Sequence, residues 1–189
     1  MSVFHITYSG CGFLSIIVYT IGYGGRSLDE LIDLLKRYNV ERVVDIRRWV
    51  KSIRLPEFSG ENLSRILPQY NIDYVWLDML GGYRRFGVDI EDYGIANCFE
   101  SEGFRAYATY ITRSPNVKPY LEKLARLVDE KTSVLMCREK IPWRCHRKIL
   151  SDYLLAKGFK VIHIIDHDKT YIHRLSRCAI IVDGELDYT

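Results

Sequence analysis

The segment Cys137-Arg-Glu-Lys-Ile-Pro-Trp-Arg-Cys-His-Arg147 gathers two thiols, a carboxylate, an imidazole and three guanidinium groups within eleven residues. A cysteine at a helix start beside arginines has a lowered pKa and more of the nucleophilic thiolate. Cys145 fits that description better than Cys137. His146 is a candidate general acid or base. Neighbours on a helix point about 100° apart, so adjacency alone does not make His146 the base for Cys145. Glu139 and Asp45 are further acid–base candidates, and Asp45 could instead orient an arginine. Cys137 at a strand end and Cys145 at the next helix start could also approach closely enough for a redox disulfide.

The same residues could bind an anion. His146 and Arg147 sit at an expected helix N-terminus, where free N–H groups and the helix dipole favour negative charge. Arg47, Arg144 and Arg147 could hold a phosphate or carboxylate in bidentate fashion. Tyr23 and Arg26 follow the first strand and would line the same pocket. The plainer alternative is that Arg147 pairs with Asp45 or Glu139 as a structural ion pair.

Other chemistries fit less well. The loop between Cys137 and Arg144 contains no glycine and does contain Pro142. It therefore lacks the backbone freedom that a phosphatase-type cradle of N–H groups needs. Gly22, Gly24 and Gly25 depart from the dinucleotide spacing Gly-x-Gly-x-x-Gly. Cys137, Cys145 and His146, with Glu139 or Asp45, are suitable zinc ligand types. Their spacing lacks the short gap of paired cysteines, and adjacent Cys and His rarely ligate one ion, so no residue is assigned to metal. Asp166, His167 and Asp168 read as a solvated loop. Arg47, Arg48, Lys51, Arg54, Arg84 and Arg85, interleaved with Trp49, Phe58, Tyr83 and Phe86, could bind nucleic acid. A face of solvated arginines is the preferred alternative.

The elements that position these groups alternate between strand and helix. Strands are expected at 16–21, 42–46, 72–77, 133–137 and 161–165, with a shorter edge strand at 179–182. The continuous β-branched character of the first suits a parallel strand covered on both faces. Helices are expected from Ser27, with Glu30 completing a capping box, and at 60–67, 104–111 and 115–129. Another opens at Cys145 or His146 and runs to Lys157, with Gly158 as its stop. The order predicts an α/β fold of three layers, with a mostly parallel central sheet of about five strands and helices on both faces. In such sheets ligands bind beyond the carboxyl ends of the strands, where the residues above are placed. The stretch 83–103 shows no periodicity and is a candidate lid.

Composition bounds the rest. A chain of 189 residues, 48% hydrophobic and 27% charged, suits one globular domain. Residues 1–15 are a possible N-terminal extension. A chain of this size needs no disulfide to hold its core. Five cysteines, an odd number without a leader sequence, favour a reducing, cytoplasmic setting. The apolar run from Phe13 to Ile21 is too short to span a bilayer, and no membrane association is expected. A net charge of +3 provides no global field for nucleic acid.

The pattern Cys-x-Glu-x-x-Pro-x-x-Cys-His-Arg after an apolar strand resembles the family catalogued as domain of unknown function 488. The segment from Thr20 to Ser27, the run Val44-Asp45-Ile46-Arg47 and Leu80-Gly81-Gly82 resemble it in the same order, as does the tail from His173 to Tyr188. The resemblance runs from Val18 to Tyr188. Tyr23 stands where many members carry a histidine. The resemblance implies a fold and no established activity. The residues are read as an enzyme-like domain acting on a small anionic, phosphate- or nucleotide-like ligand. Its alternatives are a non-catalytic nucleic-acid-binding module and a thiol redox or metal-binding protein. No cofactor is identified.

Overall fold

The computed structural model describes residues 15–189. Cys11 and nearly all of the expected N-terminal extension lie outside them. Parallel strands β1 (Ile17–Gly22), β2 (Arg42–Asp45), β3 (Asp73–Trp76), β4 (Ser133–Cys137) and β5 (Lys160–Asp166) form the central sheet, with antiparallel β6 (Lys169–Ile172) at one edge. Their spatial order is β3-β2-β4-β1-β5-β6.

Helices cover both faces. α1 (Leu28–Arg37) and α2 (Gly60–Ile66) pack on one face, and α3 (Glu102–Arg113), α4 (Lys118–Glu130) and α5 (Arg147–Ala156) on the other. The strands serve both layers by alternation. On β4, Val134 and Met136 join the α1–α2 core, while Leu135 and Cys137 face the α3–α5 core. This is the three-layer, mostly parallel α/β arrangement that the sequence predicts. The capping box at Ser27 and Glu30 forms as expected.

The order of the strands explains where the site lies. From β1 the chain crosses by α1 to β2, beyond β4. From β4 it crosses by α5, on the opposite face, to β5, beyond β1. The chain ends of β1 and β4 therefore diverge to opposite sides and leave a crevice between them. Gly22 ends β1 in register with Cys137 at the end of β4.

Three expectations change. Residues Ala179–Val182 (β7) do not edge the central sheet; they form a separate hairpin with β8 (Glu185–Tyr188). The cause is Asp183-Gly184, both at positive φ, a turn suited to a tight hairpin. Second, Cys98 and Cys178 form a disulfide across 80 residues, where composition gave no need for one. Third, the expected lid is tied down. Asp89 accepts hydrogen bonds from Arg48 and Arg84, Asp92 pairs with Arg105, and Ala96 and Phe99 are buried. Among the described residues no helix is long and apolar enough to cross a membrane.

Candidate active site

A cavity of about 920 Å³ opens in the crevice, with Cys137, Cys145 and His146 among its lining residues. Cys137 reaches it from the end of β4. After it the chain crosses Gly22 so closely that a Cβ there would lie 1.9 Å from the carbonyl oxygen of Glu139. A short 3-10 turn at Pro142–Arg144 then brings Cys145 back, and α5 begins at Arg147. His146 is wedged against Gly82, where a Cβ would come within 2.9 Å of its Nδ1.

The hydrogen bonds of His146 fix its tautomer. Nε2 lies 3.0 Å from the carbonyl oxygen of Ile46, which can only accept, so Nε2 carries the proton. Nδ1 is then free to accept. It lies 3.6 Å from Cys145 Sγ and 3.9 Å from Cys137 Sγ. The ring also rests edge-on against Tyr107. Thus His146 does face the thiol of its sequence neighbour, because it precedes the first full turn of α5 rather than lying within it.

Arg147 is 0% exposed. Its Nε donates to Cys145 Sγ at 3.4 Å, one Nη to Thr20 Oγ1 at 3.4 Å, and the other to the carbonyls of Glu139 and Lys140. No carboxylate pairs with it among the described residues; neither Asp45 nor Glu139 supplies the expected ion pair. A buried cation without a counter-ion is costly. Among the groups that touch it, only Cys145, as thiolate, can supply the charge. Burial opposes ionisation of Cys145, but the hydrogen bond from Cys137 and the closeness of His146 and Arg147 hold its pKa well below that of an ordinary thiol. Cys137 is pushed the other way, by its hydrogen bond to Cys145 and by burial.

The donor atoms of Cys137, Cys145 and His146 lie within 4.8 Å of one another. The sequence spacing argued against that convergence. A thiophilic divalent ion could share the three, yet two thiolates would neutralise such an ion and leave the charge of Arg147 unbalanced. The charge balance therefore favours one thiolate against one guanidinium.

The remaining expected residues divide into two groups. Tyr23, Arg47, Glu139 and Arg144 line the cavity. Asp45, Arg26 and Arg147 do not. Asp45 is fully buried, bound to Arg47 and to the hydroxyl of Tyr74 at 2.7 Å. Burial works against the Arg47 charge, but its bonds to Asp45 outweigh it and keep the guanidinium firmly protonated. Arg47 also donates to Tyr23 Oη at 3.0 Å, and so fixes that side of the cavity. Arg26 donates to the carbonyls of Gly22 and Ile165, joining the ends of β1 and β5.

The cavity wall is strongly cationic. Lys51, Arg54, Arg85, Arg138 and Arg144 line it and pair with no carboxylate among the described residues, and Glu139 is the one acidic residue on the wall. Arg84 also lines it and keeps a buried Nε–H without a partner. Trp49 and Tyr83 stand at the wall 64% and 81% exposed, with ring centres 5.9 Å apart. Phe58 and Arg47, grouped with them as a nucleic-acid surface by sequence, are instead buried.

Sequence reading missed Thr20, Asp152, His163 and His173, which lie behind Arg147 and are linked to it by hydrogen bonds. One signal was present: His163 interrupts the otherwise apolar run Val161 to Ile165 of a central strand.

No curated protein and no solved structure matches the chain. The model of the family described as domain of unknown function DUF488 matches residues 27–154, a span that includes Asp45, Arg47 and the whole segment from Cys137 to Arg147. Both thiols and the cations of the cavity wall thus fall inside the matched span, and the chain belongs to the DUF488 family.

Proposed function

We propose that this protein is an enzyme acting on a small anionic ligand of phosphate or nucleotide type, with Cys145 as its nucleophile. The observation that carries this reading is the fully buried guanidinium of Arg147, 3.4 Å from Cys145 Sγ and without a carboxylate. The thiolate is the attacking form of cysteine. His146 Nδ1, the unprotonated nitrogen, faces it and can take a proton from an attacking water as general base. Cys137, held as the neutral thiol, donates to the thiolate. The ligand's charge is met by the unpaired cations of the wall, Arg144 and Arg138 foremost, since they flank the thiols in sequence.

The test is alkylation of Cys145 by iodoacetamide, mapped by mass spectrometry, with and without inorganic phosphate and nucleoside monophosphates. The expected result is rapid labelling at neutral pH, slowed by one or more of these anions in the native protein and not in Arg144→Ala. Labelling that no anion slows removes the anionic ligand. Labelling no faster than that of a free thiol removes the nucleophile.

A second reading, a non-catalytic surface for nucleic acid, draws on exposed Trp49 and Tyr83 beside unpaired Arg85 and Lys51. Bases stack on such rings while cations meet phosphates. Salt-dependent oligonucleotide binding that survives Cys145→Ser and is lost in Trp49→Ala would favour it.

A further inference from the structure

Behind Arg147 runs a buried chain of polar groups that the thiolate centre does not use directly. Thr20 Oγ1 lies 2.7 Å from His163 Nδ1. His163 Nε2 lies 3.0 Å from His173 Nδ1, and His173 Nε2 lies 3.0 Å from Asp152 Oδ1. Asp152 also accepts the backbone N–H of Ser176 and the hydroxyl of Tyr188, each at 2.8 Å. Thr20, Asp152 and Arg147 are fully buried, and His163 nearly so.

One direction for every hydrogen is consistent with both ends of this chain. An arginine only donates. Arg147 therefore donates to Thr20 Oγ1, which leaves the threonine's own proton free to go to His163 Nδ1. His163 must then carry its proton on Nε2 and give it to His173 Nδ1. His173 in turn carries its proton on Nε2 and gives it to Asp152. Starting from Asp152 gives the same answer, because a carboxylate that accepts from Ser176 and Tyr188 accepts from His173 as well. Both ends thus fit one polarity, in which His163 is neutral. Burial, followed by the nearness of His173 and Arg147, pushes the pKa of His163 down to about 3, which keeps it neutral.

We propose that Asp152, His173, His163 and Thr20 form a positioning relay that holds the Arg147 guanidinium against Cys145 and so maintains the thiolate. The proposal rests on the reading of Cys145 as a thiolate nucleophile. None of the four touches the cavity. They act through Arg147, and the aligned dipoles of the relay carry part of the influence of the Asp152 charge to it. Three separate elements are tied together: Thr20 is on β1, His163 on β5 and Asp152 on α5, with His173 following β6.

The test compares Thr20→Val, Thr20→Ser and Asp152→Asn with the native protein. The readouts are the iodoacetamide rate at Cys145, its pH midpoint and thermal unfolding. Valine keeps the shape of threonine and removes the link. The expected result is a rate at neutral pH about tenfold lower in Thr20→Val, with the midpoint moved upward. Thr20→Ser restores both, because it restores the hydroxyl. Asp152→Asn removes a buried negative charge, which alone would favour the thiolate, so an upward midpoint in this variant also supports positioning and a downward one opposes it. Should Asp152→Asn fail to fold, the two Thr20 variants decide alone. Unchanged rate and midpoint in Thr20→Val, with only the melting temperature lowered, would show a structural staple and overturn the relay. A native protein whose Cys145 reacts as an ordinary thiol would overturn both the relay and the nucleophile, and is distinguished by needing no variant to see it.

Discussion

Arg147 illustrates how one side chain can serve stability and chemistry together. Its guanidinium satisfies Thr20 and two carbonyls as well as the thiolate. Arg147→Met should abolish the fast alkylation of Cys145 and lower stability by about 3 kcal/mol, measured by urea unfolding, since buried acceptors lose their donors. Arg144→Ala, at an exposed position, should weaken anion protection and leave stability unchanged. His163 makes a separate prediction about acid. Its folded pKa lies near 3, below that of an unfolded histidine at about 6.5. Below pH 6.5 the unfolded chain takes up a proton that the folded chain refuses. Stability is therefore lost as pH falls from about 6.5 towards 3, by a few kcal/mol. A His163→Gln variant should show a shallower acid limb in the same window, and an equally steep limb would place the effect elsewhere.

The elements deliver these residues through close contacts that permit little change. Gly22→Ala would drive a methyl group into the carbonyl of Glu139, and so into the loop that carries the site. The expected outcome is a loss of about 2 kcal/mol or more, with slowed alkylation of Cys145. The disulfide between Cys98 and Cys178 fastens the irregular stretch before α3 to the segment before β7. Replacing both cysteines by serine should cost about 4 kcal/mol on the chain-entropy argument for a loop of this length, read as a lowered unfolding midpoint. Much of this scale was legible in the sequence. β4 falls where its apolar run places it, and Ser27 caps α1 with Glu30 as the spacing implies. The convergence of Cys137, Cys145 and His146 was half legible, since their elements are evident but the 3-10 turn at Pro142 that folds them together is not. The relay was not legible, because His163, His173 and Asp152 are distant in sequence and meet only through the crossover from α5 to β5. The β7–β8 hairpin had a signal in Asp183-Gly184 that apolar patterning alone overlooks.

Across the whole molecule, the distribution of charge matters more than its sum. The net charge is +3, yet five cations without a carboxylate partner among the described residues, Lys51, Arg54, Arg85, Arg138 and Arg144, share one cavity wall. Such a wall draws anions inward at low ionic strength and less so as salt screens it. Anion protection of Cys145 should therefore weaken as sodium chloride is raised, and indifference to salt would argue against direct ionic contact. The family match covers the thiols and the wall but stops short of β5 and all that follows it, where His163 and His173 of the relay lie. The proposed chemistry thus depends on the charge state of one sulfur. The most direct measurement is the ultraviolet absorbance of thiolate across a pH titration of the native protein and of Cys145→Ser. The expected result is a thiolate signal already present at neutral pH and absent from the serine variant. Identical curves for the two proteins, rising only where ordinary thiols ionise, would contradict it.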